Sequence, residues 1–285
     1  MSKKFIKKES NVSLFIEVYN EENRIESCLK SFQWADDLIV FNKSSSDSTR
    51  SLAEKYATEV IDVEYTSSSE NVVNNVSGKL TKEWVGFPTA SSLIHPNLVD
   101  KIIKLTTNPN FDYDVIYLPY ALYSLGINSK YSPWTCAYKL LLIRRSCLIL
   151  STKLHYEINY SSSRIFTIPH QNTNEFFYHC TNKDADDLFN RHLRYVKYEA
   201  KYSLIEDSTA SLRKPFFEII KSFFIAFIKR KWYKLGWDGV ALSLSYMSYF
   251  IMKFIYIWDS RRVSGGEIYS KIRSEIDELW DNKTT

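Results

Sequence analysis

Between residues 12 and 63 the chain alternates short apolar runs with segments of helical period. That alternation constrains its fold more than any other feature. Residues 12–18 are a β-branched and aromatic run that ends at Tyr19-Asn20-Glu21-Glu22, as a buried strand running into a loop would. Ile25, Cys28, Leu29 and Phe32 then recur at helical spacing, with Asn20 or Glu21 as the expected cap. A second strand is expected over 37–41, a second helix through Leu52, Ala53 and Tyr56, and a third strand over 59–63. Strand, helix, strand, helix, strand is the order of a parallel sheet joined by right-handed crossovers, which makes the class α/β.

The alternation continues less regularly. A polar stretch, 66–78, leads to a strand over 83–87, a helix over 96–105 and a strand over 114–118. Residues 139–150 suggest two strands around a turn at Arg145-Ser146, and 161–175 read as a loop. Beyond this the pattern is helical over 184–203, 214–231 and 240–258, followed by a polar tail from Arg261. The expected organisation is an α/β domain over 1–205 and a helical region over 206–285.

Composition removes several function classes. With only 7 glycines in 285 residues there is neither a GxGxxG nor a GxxxxGK[ST] phosphate loop. The 4 cysteines are scattered and form no CxxC, so they read as buried thiols rather than zinc ligands. The basic start lacks an apolar stretch behind it, so no secretory signal is expected and the protein reads as cytoplasmic. The net charge of +4 is unevenly spread: 213–234 carries Arg213, Lys214, Lys221, Lys229, Arg230, Lys231 and Lys234 against Glu218 alone. Its Phe, Ile and Trp content suits a lipid surface rather than nucleic acid. Residues 240–258 hold one charge, Lys253, and are long enough to consider as a membrane span, but their serines and aromatics favour an interfacial or packed helix. The expectation is a monotopic amphipathic hairpin, with burial on the domain or in a homodimer as the alternative.

Several segments resemble family 2 glycosyltransferases. They are Tyr19-Asn20-Glu21-Glu22 after the first strand, Trp34-Ala35-Asp36-Asp37 before the second, and Ser45-Ser46-Asp47-Ser48-Thr49 after it, then Trp84-Val85 with Phe87. Further on, residues 139–145, Leu154-His155, Phe177-Tyr178-His179, Arg194-Tyr195 and Glu199-Ala200 are similar to the branch containing lipopolysaccharide-core glucosyl- and heptosyltransferases. The resemblance implies a GT-A-like (Rossmann-like), mixed but mainly parallel sheet with flanking helices, plus a C-terminal amphipathic helical region. It implies transfer from a UDP- or ADP-sugar to a lipid-linked or saccharide acceptor, with inversion, at the inner face of the cell membrane. Ligands bind beyond the carboxyl ends of strands in such sheets, so the resemblance assigns Tyr19, Asn20, Glu21, Asn42, Asp47, Thr89 and Ser91 to the donor.

Three departures matter, the first being Asn42, whose amide oxygen could still accept from a base N–H, where the family carries Asp. Thr89-Ala90-Ser91 stands where the family carries Asp-x-Asp, and a hydroxyl brings no negative charge to a hard cation. This puts a divalent metal in doubt and leaves three alternatives: Lys43, Arg144 or Arg145 neutralising the leaving diphosphate, a metal held by other acids, or a catalytically inactive scaffolding subunit. The family's His-Glu pair becomes His155-Tyr156-Glu157, so the general base is Glu157 or His155.

Overall fold

The computed structural model describes residues 9–66, 70–150, 159–171, 174–206 and 211–284. The chain packs as two compact units, residues 1–130 with 134–188 and residues 131–133 with 189–285.

In the first unit the expected alternation is present as β1 (Val12–Val18), α1 (Ile25–Phe32), β2 (Asp37–Asn42), α2 (Thr49–Ala53) and β3 (Glu59–Asp62). There follow α3 (Glu70–Val76), β4 (Trp84–Gly86), β5 (Ser92–Ile94), α4 (Pro96–Thr106), β6 (Val115–Tyr123) and β7 (Tyr138–Arg144). β8 (Leu148–Ile149), β9 (Asn159–Tyr160), β10 (Ile165–Thr167) and β11 (Phe177–Cys180) complete the strands. The main sheet runs β3-β2-β1-β4-β7-β6-β11-β5, with β10 also paired to β6. β1 to β4 are mutually parallel, β7 is antiparallel to both β4 and β6, and β5 is antiparallel to β11. The sheet is therefore mixed and mainly parallel.

Side chains alternate across a strand, and here each face meets its own helices. Leu14, Ile16, Leu38, Val40 and Trp84 join Ile25, Cys28, Leu29 and Phe32 of α1 and Leu98 and Ile102 of α4 in one core. Phe15, Ile39, Phe41 and Val85 face the other way, against Val72 and Val76 of α3. Gly86 is required where strands meet, since a Cβ there would lie 2.6 Å from the Leu141 carbonyl and 2.7 Å from Leu14 Cδ2.

Four local expectations change. The N-cap of α1 is Arg24, without a side-chain capping bond, because Asn20 and Glu21 are engaged in the loop. The polar stretch 66–78 contains α3, whose valines bury on the sheet despite their Asn neighbours. β7 and β8 do not form a hairpin: β7 joins the main sheet while β8 pairs with β9. The loop 161–175 contains β10.

The second unit includes most of α5 (Ala185–Glu206), then α6 (Arg213–Phe223), a π-helical segment (Phe224–Lys229), a 3-10 turn (Trp232–Leu235), α7 (Trp237–Asp259) and α8 (Gly265–Thr284). A Cβ on Gly239 would meet the Trp232 carbonyl at 2.1 Å, so the 3-10 turn rests directly on the start of α7. Lys253, the single charge in 240–258, is not directed outward. Its ammonium lies 3.0 Å from Glu199 and 3.2 Å from Glu218, and the Tyr249 hydroxyl also bonds Glu199. α7 is long and apolar enough to cross a membrane, with 22% of its most apolar window buried. The polar tail is helix α8.

Candidate active site

The loops following β1 and β2 are laced together by hydrogen bonds. Asn20 Oδ1 accepts from the Ser46 amide at 2.9 Å, and the Asn20 amide donates to Ser45 Oγ at 3.0 Å. The Glu21 amide donates to Thr49 Oγ1 at 2.7 Å. Asp47 accepts from the amides of Thr49 (2.9 Å) and Glu22 (3.2 Å), and Glu22 accepts from the Ser48 amide at 3.1 Å. Burial alone would raise the Asp47 carboxyl, but the Thr49 hydroxyl and these amides hold it below its ordinary value. Asn20 (φ 53°) and Ser44 (φ 56°) are left-handed, a conformation that this lacing holds in place.

Asn42, at the end of β2, is buried. Its Nδ2 donates to Asp62 at 2.8 Å, while its Oδ1 accepts from the Ser45 amide at 3.3 Å. That Asn42 bond is the main reason the Asp62 carboxyl lies below its usual range. Lys43 is 4% exposed, with Nζ 2.5 Å from Glu17, so its charge is compensated within the protein. Beside it Tyr19 and Tyr65 meet in a tilted contact with centroids 4.3 Å apart, forming an aromatic lip. Glu21 is tied to Arg24 at 2.7 Å.

At the third loop, beyond β4, Thr89 Oγ1 lies 3.0 Å from Ser91 Oγ, 3.0 Å from Ser92 Oγ and 3.4 Å from His179 Nε2. His179 Nδ1 lies 2.5 Å from the Tyr120 hydroxyl, which burial keeps protonated. Neither β6 nor β11 is near Thr89 in sequence; the parallel β6–β11 register and the antiparallel β11–β5 register bring His179 to it. This hydroxyl and imidazole group is the main component that the sequence reading did not assemble. Its sequence signals are Thr89 and Ser91 at the Asp-x-Asp positions and His179 in the run Phe177-Tyr178-His179, with nothing to join the two.

Tyr19, Asn20, Glu21, Asn42, Asp47, Thr89 and Ser91 thus share the carboxyl end of the parallel strands. Arg144 and Arg145 do not. β7 runs antiparallel and pairs Arg144 with Trp84, the first residue of β4, so both arginines sit at the amino end of the sheet. There Arg144 donates to the carbonyls of Phe111 (2.7 Å) and Tyr113 (2.8 Å), pairs with Glu83 and lies over the Trp84 ring. Arg145 donates to the Leu80 carbonyl at 2.7 Å. Asp114 is buried at that same end, where it binds Arg164 at 2.6 and 2.9 Å. His155 and Glu157 lie outside the described residues.

The hydroxyl cluster does not fit a divalent metal of the Mg2+ or Mn2+ type, which needs carboxylate oxygens; three neutral hydroxyls bonded to one another and one imidazole are a poor donor set. Among the described residues, no group of three or more His, Cys, Asp or Glu side chains is placed to hold a metal.

Residues 13–157, just over half of the chain, match the model for glycosyl transferase family 2. The chain belongs to that family. Its mixed, mainly parallel sheet with flanking helices is the GT-A-like architecture expected of a member, and the C-terminal helices are present as well. No curated protein matches the chain. Similar solved structures include glucosyl-3-phosphoglycerate synthase from Mycobacterium tuberculosis with Mn2+, UDP and glucosyl-3-phosphoglycerate, at 21% identity over 38% of this chain and 43% of that one, TM-score 0.32. A mannosyltransferase from Pyrobaculum calidifontis with GDP-Man and Mn2+ shows 15% identity over 90% of this chain and 89% of that one, TM-score 0.48. TarS of S. aureus shows 14% identity over 65% of this chain and 39% of that one, TM-score 0.41. The chain thus spans less than half the length of the mycobacterial and staphylococcal proteins.

Proposed function

We propose that this family 2 member transfers a hexose or heptose from a UDP- or ADP-sugar to a hydroxyl of a lipid-linked or surface-polysaccharide acceptor, of the lipopolysaccharide-core kind, with inversion. The observation that carries the reading is the set of loops gathered at the carboxyl ends of β1, β2 and β4, inside the segment that matches the family. The Tyr19–Tyr65 lip offers an apolar face to a base. Thr89, Ser91, Ser92 and His179 offer hydrogen bonds to diphosphate oxygens where the family usually carries carboxylates. In the reaction the anomeric carbon–phosphate oxygen bond breaks and its electron pair leaves with the nucleoside diphosphate. The acceptor oxygen bonds the anomeric carbon and gives its proton to a base. Hydrogen-bond donors aimed at the leaving oxygens stabilise the charge that develops there. No step is assigned to a metal.

The second unit suits an acceptor held at a membrane. Phe216, Phe217, Phe224, Ile228, Tyr233 and Trp237 are exposed, Trp237 at 86%. All but Trp237, which follows three residues later, lie in the segment 213–234 where seven basic residues face one acid. Aromatic side chains with Lys and Arg around them suit the interface of an anionic leaflet, which supports the reading of a protein held peripherally at the inner face of the cell membrane. The internal pairing of Lys253 agrees with a packed α7 rather than a lone span.

The replaced carboxylates favour one rival, an inactive family member that scaffolds a partner transferase. Transfer and donor-hydrolysis assays with and without EDTA, beside calorimetry with UDP-, ADP- and GDP-sugars, separate the two. Turnover that survives chelation supports the enzyme. Binding without turnover favours the scaffold, and no binding to any donor sinks the enzymatic reading. For the membrane, F217E/F224E should lose flotation on anionic vesicles; equal flotation overturns the peripheral placement.

A further inference from the structure

The imidazole that faces Thr89 is gripped from behind. The parallel register of β6 and β11 pairs Tyr120 with Phe177 and Leu122 with His179. Side chains two apart on a strand share a face, so these four lie together. Tyr120, Leu122 and Phe177 belong to the core, and His179 is half-buried at its carboxyl end. The Tyr120 ring is 7% exposed and meets the Phe177 ring with centroids 5.8 Å apart. Among the described residues, the hydrogen-bond partner of its hydroxyl is His179 Nδ1, at 2.5 Å.

The direction of that bond follows from the two groups. Burial keeps the phenol protonated, and a buried O–H needs an acceptor. A neutral imidazole accepts at one nitrogen and carries its proton on the other. The Tyr120 hydroxyl therefore donates to Nδ1, and the ring proton sits on Nε2, 3.4 Å from Thr89 Oγ1. A contact of that length is weak, so the N–H can take a stronger acceptor placed beside Thr89. The same bond argues against metal ligation at Nε2, which needs the lone pair there and the ring proton on Nδ1. Metal-bound imidazoles donate that second N–H to a carboxylate, a carbonyl or water. Here Nδ1 meets a hydroxyl with a proton of its own to place. An N–H held in this way suits anionic phosphate oxygens.

We propose that Tyr120 is a positioning residue: through Nδ1 it holds His179 with Nε2–H aimed at the diphosphate of the nucleotide sugar, so that His179 is a hydrogen-bond donor and not a metal ligand. The ligand rests on the donor-site reading and the geometry on the Tyr120–His179 bond, and the experiment separates the two. Long-range 1H–15N spectra of the full chain labelled in histidine are recorded at about pH 8, above the ordinary histidine value. His179 is assigned by its loss in H179Q. Its proton should be on Nε2 and its Nδ1 should resonate as a hydrogen-bonded acceptor, moving to an unbonded position in Y120F. A proton on Nδ1, or an Nδ1 that Y120F leaves unmoved, overturns the proposal. Calorimetry with UDP and ADP reads the ligand, and Y120F should weaken the better-bound nucleotide about 5-fold. H179Q keeps an N–H near the place of Nε2 without relying on Nδ1, so adding Y120F to it should cost less than about 2-fold. Wild-type affinity in Y120F overturns the proposal, as does an equal loss on both backgrounds, which would make Tyr120 merely structural. A wild type that binds neither nucleotide overturns the diphosphate assignment together with the donor-site reading, even where the spectra show the Tyr120–His179 bond.

Discussion

The two ends of the main sheet carry opposite electrostatics. At the amino end Arg144, Arg164, Asp112, Asp114 and Glu83 form an ionic cluster over the Trp84 ring. At the carboxyl end the third loop presents only hydroxyls and one imidazole, and the charges of the first two loops are tied down by internal partners. The difference teaches that charge density is a poor guide to the functional end of this sheet. Where both partners come from the protein, the pairs hold strands in place. Neutral donors that are half satisfied by one another remain able to turn toward a ligand.

The comparison breaks first at the ionic end. Asp114→Ala removes the carboxylate between Arg164 and Ser162 and leaves two guanidiniums close together. Because Arg164 is about half exposed, the expected loss is about 2–3 kcal/mol, below the cost of a fully buried pair. Chemical denaturation should show it while donor affinity in the surviving folded protein is unchanged. The Arg164 bonds, ahead of the opposing effect of burial, hold the Asp114 carboxyl below its ordinary value. Its contribution is therefore fully present above about pH 4, the unfolded value, and falls away as pH drops through the lower folded value. An acid limb of the stability curve that is unchanged in Asp114→Ala would contradict this.

The neutral end should respond in the reverse sense. T89A/H179A removes the hydroxyl and imidazole of this cluster and also takes the His179 partner from the buried Tyr120 hydroxyl, so melting should fall by a few degrees, less than for Asp114→Ala. Nucleotide-sugar affinity should fall roughly 10-fold, at about 1 kcal/mol or slightly more for the lost contacts. Calorimetry that finds wild-type affinity in this variant would remove the cluster from the donor site. Charge can also be installed there. T89D/S91D places two carboxylates beside His179, and Mn2+ should then raise the melting temperature by a few degrees, through preferential binding to the folded state. The wild type should show no such rise. A metal-induced shift in the wild type and none in the variant would invert the assignment.

Much of this contrast was absent from the sequence for a reason visible in particular residues. Period identifies faces, so Ile25, Cys28, Leu29 and Phe32 announced α1, and all four are buried. Period does not give strand direction. Arg144 and Arg145 follow an apolar run much as Asn42 and Lys43 do, but β7 is antiparallel and delivers them to the opposite end. The valines of α3 were hidden because Ser and Asn dominate 66–78, and only the sheet beneath makes that helix amphipathic. His179 and Thr89 are 90 residues apart, and the contact exists only through the register of β6, β11 and β5. Asn20, Glu21 and Asp47 were legible as a group, but as prospective ligand contacts. The structure gives them a nearer task, in which each loop satisfies the backbone of the other.

That task sets the smallest predicted effect. Asp47→Asn keeps the shape and one acceptor oxygen but loses the charge that draws the amides of Thr49 and Glu22. The expected cost is about 1 kcal/mol, the usual worth of such side-chain bonds to backbone amides. The Asp47 carboxyl lies below its ordinary value in the folded protein. The stabilisation it gives is therefore complete above about pH 4 and lost as pH falls further. In the Asn variant this part of the acid dependence should disappear, while the larger Asp114 limb persists. Amide exchange should localise the change: faster at Glu22 and Thr49, unaltered at Arg144. Exchange that quickens at both ends of the sheet would mean that the two polar systems are coupled through the strands, and the contrast between them would then describe one network instead of two.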